Sequence, residues 1–301
     1  MPKFIIYLLF FVSTICSVKS QDVMRQSLVY LGQKSPGTAA QIFAPGLISL
    51  QDRYEYGSVF SKNGREFFYA AIVNKKPQIL TSRLENEVWT KPVTILSSTK
   101  YEYNDPFLSP DETKLFFISD RPLDGKGSVK DFDIWYVERT KTGWSEPINA
   151  GPEINTDKNE YYMSFTKSGT MYFSSNGGTD RTDDKNFDIR YSRFLSGKFT
   201  PSQKLTDAIN TEHYEADVFV SPDESYLIFC AERPDGFGKG DLFISFKDKN
   251  GTWQKVKNMG NTINSAGYEF CPFVSSDEKY LFFSRDGDIF WIDSSAINLL
   301  K

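Results

Sequence analysis

Tyr214-Glu215-Ala216-Asp217-Val218-Phe219-Val220-Ser221-Pro222-Asp223-Glu224-Ser225-Tyr226-Leu227-Ile228-Phe229 reads as an apolar strand, a tight reversal and a second apolar strand. Ser at the first turn position can bond to the backbone two residues on. Pro pre-sets φ at the next, and Asp tolerates the one after. The second strand is apolar without alternation, so both of its faces must be covered. Working outward, the same pattern returns four more times. It is anchored at Ser61-Lys62-Asn63-Gly64, Ser109-Pro110-Asp111-Glu112, Thr166-Lys167-Ser168-Gly169 and Ser275-Ser276-Asp277-Glu278, with spacings of 48, 57, 55 and 54 residues.

After each hairpin an Asp-apolar-aromatic run supplies a third strand, at Asp133-Ile134-Trp135, Asp188-Ile189-Arg190, Asp241-Leu242-Phe243 and Asp288-Ile289-Phe290. A fourth is read from Trp89-Thr90-Lys91-Pro92, Trp144-Ser145-Glu146-Pro147, Phe199-Thr200-Pro201 and Trp253. Units of four short strands, none able to bury its faces alone, define an all-β fold, a β-propeller. The fifth copy lacks its own fourth strand, and Pro45-Gly46-Leu47-Ile48-Ser49 precedes the first copy without a blade. An N-terminal strand is therefore expected to close the last of five blades. Six blades is the alternative if residues 22–45 add more than one strand.

These repeats resemble the TolB-type, WD-like propeller repeat of bacterial exported proteins. Three stretches carry the resemblance: Ser109-Pro110-Asp111; the Arg121-Pro122 loop that leads through Gly125 and Gly127 to Asp133; and Arg233-Pro234-Asp235-Gly236-Phe237-Gly238-Lys239-Gly240-Asp241. It covers about residues 51 to 293. The first copy lacks the Arg and glycine-rich loop, the third has Asn176-Gly177-Gly178-Thr179 instead, and the fifth shortens it to Arg285-Asp286-Gly287. Proteins of similar repeat serve as periplasmic binding modules, as gating propellers of larger peptidases and as parts of envelope complexes. The resemblance is specific for the repeat and not for an activity.

The first twenty residues read as an address. Lys3 precedes the uncharged run Phe4–Ile15, and Val18-Lys19-Ser20 offers small residues at the two positions read before cleavage. Twelve residues are too few to span a bilayer, which takes about 20. Residues 1–20 are thus expected to be a signal peptide and 21–301 a single propeller domain, periplasmic or secreted. Lipidation at Cys16, giving an outer-membrane lipoprotein, is the alternative. No later run is long enough to cross a membrane. Of the three cysteines, Cys230 and Cys271 sit in apolar strands and read as buried small hydrophobes; two cysteines are not a disulfide framework, and their pairing is left open.

Composition narrows the chemistry. The chain has 301 residues, 35 basic against 39 acidic, and one His. Scattered basic residues and a net charge of −4 argue against nucleic acid. One His excludes multi-imidazole metal centres. Neither a nucleophile elbow nor a phosphate-binding loop is present. No cofactor and no metal site is expected, and the acidic stretch Asp180–Asn186 lacks EF-hand spacing.

Three candidate groups remain. Glu55, Glu160, Glu215 and Glu269, with Glu102 shifted by one, would ring one channel mouth. A residue repeated in every blade more simply does a job each blade needs, such as pairing with Arg121 or Arg233. Positions that differ between blades are more informative: four residues before each register mark stand Gly57, Asp105, Tyr162, Asp217 and Cys271. Asp105 and Asp217, facing each other across a channel, would be the catalytic pair if the protein cleaves glycans. His213, in a loop entering its blade, is a candidate base or binding residue. The function expected is a non-enzymatic, monomeric binding module for a protein, peptide or glycan of the cell envelope; a glycan-cleaving hydrolase or lyase is the alternative.

Overall fold

The computed structural model describes residues 28–177 and 186–301. The sites proposed at residues 1–20, at Cys16 and at residues 180–185 lie outside this range. β1 (Gln41–Ile42) is followed by blade 1, made of β2 (Glu55–Phe60), β3 (Glu66–Val73) and β4 (Lys76–Glu85), with β5 (Val88–Trp89) and β6 (Val93–Leu96) both pairing to β4. Blade 2 is β7 (Asn104–Leu108), β8 (Lys114–Ser119), β9 (Asp133–Glu138) and β10 (Ile148–Asn149). Blade 3 is β11 (Glu160–Phe165), β12 (Met171–Ser175), β13 (Asp188–Ser192) and β16 (Gln203–Lys204), with a separate hairpin, β14 (Phe194–Leu195) and β15 (Lys198–Phe199), between the last two. Blade 4 is β17 (Tyr214–Val220), β18 (Tyr226–Glu232), β19 (Asp241–Phe246) and β20 (Lys257–Asn258). Blade 5 is β21 (Glu269–Val274), β22 (Tyr280–Arg285) and β23 (Asp288–Asp293), and its outer strand is β1. The fold is an all-β, five-bladed propeller with every pairing within a blade antiparallel.

The turns obey the sequence. Ser109 Oγ accepts the amide of Lys114 at 3.0 Å and donates to Asp111 at 2.6 Å, and Ser221 and Ser275 accept the amides of Tyr226 and Tyr280 in the same way. Each turn ends in a left-handed residue, Gly64, Glu112, Gly169, Glu224 or Glu278. The second strands are the driest parts of the molecule: Phe67, Phe117, Phe173, Phe229 and Phe283 are fully buried.

Closure comes from the N-terminal segment, as expected, but not from residues 45–49. Gln41 and Ile42 pair with Trp291 and Phe290, and the Phe43 amide donates to Ile289 O at 2.7 Å. Pro45 and Gly46 instead form a turn, Gly46 at φ +79° with its amide bonded to Ser49 O. The expected fourth strands are corrected too. The stretches at Trp89, Trp144, Phe199 and Trp253 fold back on the end of the third strand or on the residues just after it as small side hairpins, and the true outer strands lie a few residues later. Thr90 and Thr200 hold these hairpins, their Oγ1 atoms accepting the amides of Arg83 and Arg193. Pro92, Pro147 and Pro201, lacking an N–H, push ladder pairing downstream.

Candidate functional site

The four repeated glutamates stand first or second in their inner strands and are completely buried. Each is engaged by hydroxyl, amide or guanidinium groups close to it in the chain. Glu215 accepts the Thr211 amide at 2.9 Å, its hydroxyl at 2.6 Å and Arg233 Nη2 at 2.9 Å. Glu269 repeats this with Ser265 and Arg285, and Glu55 pairs with Arg53. Glu160 has Thr156 and Ser175 and, among the described residues, no arginine, and burial pushes its carboxyl up to about 7. Arg121 mirrors this deficit. Tyr103 stands where its glutamate would be, and the guanidinium lies 4.9 Å over the Trp135 ring. Glu102 is half-exposed, 3.5 Å from Lys76.

The residues that hold these glutamates, Thr156, Thr211 and Ser265, each follow an asparagine that sequence reading passed over. Asn155, Asn210 and Asn264 accept the amides of Ile134, Ile189 and Leu242 from the third strand. The repeated Ile-Asn-Thr/Ser triplets at 154–156, 209–211 and 263–265 were the available signal.

The axis itself has three layers. The middle one is built from the five blade-variable residues. Gly57, Asp105, Tyr162, Asp217 and Cys271 adopt φ of 51°, 50°, 30°, 53° and 50°, and in every inner strand the pairing register shifts there. This is a left-handed bulge, which turns the side chains toward one another across the axis. Four of the five are not glycine, so the strain is held by the surrounding ring. Cys271 Sγ lies 3.4 Å from Asp105 Oδ1, and Tyr162 donates to Pro272 O at 2.8 Å. Asp105 and Asp217 are each 7% exposed. Burial raises Asp105 to about 7; burial, then the Asp105 charge, raises Asp217 to about 8. Among the described residues, no arginine, lysine or histidine is among the groups that act on either carboxyl. The facing pair therefore lies in a packed layer with little exposed surface. Both thiols are free, and burial raises the pKa of each.

Gly57 has to be glycine, since a Cβ there would stand 2.6 Å from Asp105 Oδ1 and 3.0 Å from its Cα. Gly57→Ala should destabilise by about 1–3 kcal/mol from φ strain alone, and more through the clash. Chemical denaturation checks this; a variant as stable as the parent would contradict the packing of this layer.

Above the layer lies an aromatic collar, with Tyr54 against Tyr56 at 5.7 Å, Tyr56 against Phe270 at 6.2 Å and Tyr161 stacked on Phe187 at 4.7 Å. Below it, on the turn face, an apolar funnel of about 380 Å³ is lined from every blade, by Val59, Phe107, Phe165, Phe219 and Phe273 among others. Ser109, Pro110, Phe165 and Lys167 also line a second hollow of about 500 Å³ between blades 2 and 3. His213 is half-buried on the opposite face beside Glu212, in a shallow depression with Arg233 and Asp235. Structure thus brings Asp105, Asp217 and Tyr162 together and leaves His213, Arg121 and Arg233 apart from them.

No protein-family model matches the sequence, and no curated protein matches it. Solved structures do. TolB from Acinetobacter baumannii aligns with TM-score 0.51 and 14% identity over 80% of this chain and 52% of that one. A putative TolB from Agrobacterium tumefaciens gives 0.51 and 16% over 80% and 78%. The fold is that of a TolB-like β-propeller. A protein of unknown function from Dyadobacter fermentans aligns with TM-score 0.52 and 15% identity over 86% and 83%. The TolB-like ring spans about half the length of the Acinetobacter protein. At these identities the likeness is one of fold. Among the described residues no helix is long and apolar enough to cross a membrane.

Proposed function

We propose that this chain is an exported binding module, released by removal of residues 1–20, that docks a protein or peptide of the cell envelope on the turn face of its propeller. The observation that carries this reading is that the turn face holds two adjoining apolar hollows, of about 380 and 500 Å³, that share Phe165 and Lys167. Concave apolar sites with a few polar groups at the edge are where ligands bind. The test is capture from an envelope extract followed by cross-linking, comparing the parent with Lys167→Glu and Phe194→Ser. A partner cross-linked to the turn face and lost in the variants is the expected result; absence of any specific partner rejects the reading.

One observation favours a second reading. Carboxyls that keep their protons to about pH 7 and 8 suit general acid catalysis, and Asp105 and Asp217 are such a pair. Glycan turnover abolished by Asp105→Asn and by Asp217→Asn would support a hydrolase or lyase; turnover surviving in both would remove these residues from any mechanism.

A further inference from the structure

Each side hairpin carries a large aromatic toward its own third strand, and in blades 2 and 4 that residue is a tryptophan wedged against the preceding blade. Trp144 meets Phe68 of blade 1 edge-on at 5.9 Å, and Trp253 meets Tyr172 of blade 3 at 6.3 Å. A cation backs each indole, Arg139 at 4.6 Å and Lys247 at 4.7 Å. In blade 1 the equivalent Trp89 meets Phe60 of its own blade at 6.4 Å, and blade 3 has no tryptophan at this place. Phe199 stands at the tryptophan position, and its ring turns to Phe194 of its own hairpin at 5.0 Å. Phe116 of blade 2, the counterpart of Phe68 and Tyr172, packs on Tyr136 and Phe165 within and beside its blade. The space a bridging indole would occupy is the 500 Å³ hollow between blades 2 and 3, which Phe116 and Phe199 both line.

We propose that this empty indole position receives an aromatic side chain from an acidic peptide segment of the partner. This rests on the binding-module reading above and names the chemistry of its ligand. An aromatic side chain buried in such a slot restores the inter-blade contact that blades 2 and 4 make internally, and buried aromatic anchors dominate peptide affinity. Charge at the rim selects its neighbours. Lys167 and Lys198 line the hollow, are exposed and form no ion pair with another described residue, whereas Glu153 is the one exposed acid lining it whose carboxylate has no partner among the described residues. Lys114 is already taken by Glu138 at 2.7 Å, and Asp111 by Ser109 and Thr113 in its turn. Phe194, 43% exposed, offers a further apolar contact at the edge.

The probe is a capped Asp-Trp-Glu peptide, with a capped Lys-Trp-Lys peptide as counterpart, titrated calorimetrically into the full chain. Phe199→Trp supplies the missing indole from within. It should keep or raise the melting temperature while weakening the acidic peptide by at least about tenfold, which is about 1.4 kcal/mol. Lys167→Glu with Lys198→Glu should weaken it similarly, and Phe237→Ser, at a distant exposed loop, should leave it unchanged. Equal binding of the Lys-Trp-Lys peptide, undiminished binding by a folded Phe199→Trp variant, or no binding of Asp-Trp-Glu to the parent would each overturn the proposal. Capture of an envelope partner undiminished by Phe199→Trp would overturn this site and leave the binding-module reading standing; failure of all capture would remove that reading itself.

Discussion

Asp217→Asn is expected to melt at a higher temperature than the parent at pH 8 and at nearly the same temperature at pH 4. Asp105 and Asp217 keep their protons up to about pH 7 and 8 in the folded ring, while unfolded aspartates lose theirs near pH 4. Between those limits the native state binds more protons than the unfolded chain, so stability falls as pH rises. The contribution of the pair is fully present below pH 4 and is lost as pH climbs through 7 to 8. Glu160, also raised, adds to this slope; Asp111, Asp223 and Asp277, all lowered through hydrogen bonds, work the other way at acid pH. Comparing parent and variant cancels those shared terms. Asparagine keeps the size of the side chain and removes the ionisation, so the gain at pH 8 should be on the order of 2–4 kcal/mol, or roughly 5–10 °C for a domain of this size. Melting curves from pH 4 to 9 decide it. Parallel profiles for the two proteins would show that the pair is solvated and ionised in the fold.

Deleting residues 41–50 should abolish the cooperative thermal transition. The segment provides the outer strand of blade 5 and the Phe43 amide bond to Ile289 O. Phe43 is fully buried, with ring contacts to Phe60, Phe67, Phe282 and Trp291 at 5.1–5.8 Å. It therefore ties blade 1 to blade 5 directly. The milder Phe43→Ala leaves the strand in place and should cost about 3–5 kcal/mol as a core truncation, read by denaturant unfolding. An unchanged melting temperature after the deletion would mean that the ring holds without its closing strand.

The blade repeat and its closure were legible because they rest on turn chemistry and apolar periodicity, both local. Ser221-Pro222-Asp223 announces a reversal whatever surrounds it. The outer strands were misplaced for the opposite reason: Ile148–Asn149 and Lys257–Asn258 are two residues long and carry no periodic signal. Comparing blades located Gly57, Asp105, Tyr162, Asp217 and Cys271 at one level. Their sealing was not legible, because it arises only where five bulges converge and Asp105 occupies the space that Gly57 leaves. The glutamates stood out by repetition, but a hydrogen bond to a hydroxyl four residues earlier leaves no hydrophobic trace. The hollow between blades 2 and 3 was written in the sequence as Phe199 among tryptophans, and was hidden by reading that stretch as a strand.

The pairing of Gln41 with Trp291 joins positions 250 residues apart, the first strand of the ring to be synthesised and the last. Loop closure of that span costs entropy that no neighbouring contact offsets until blades 1 to 4 are in place. The growing chain is thus an open arc, with the free edges of its first and latest blades unpaired until the end arrives. Closing the circle is then expected as the final event, and the rate at which blade 5 becomes available sets how long those edges are exposed to other chains.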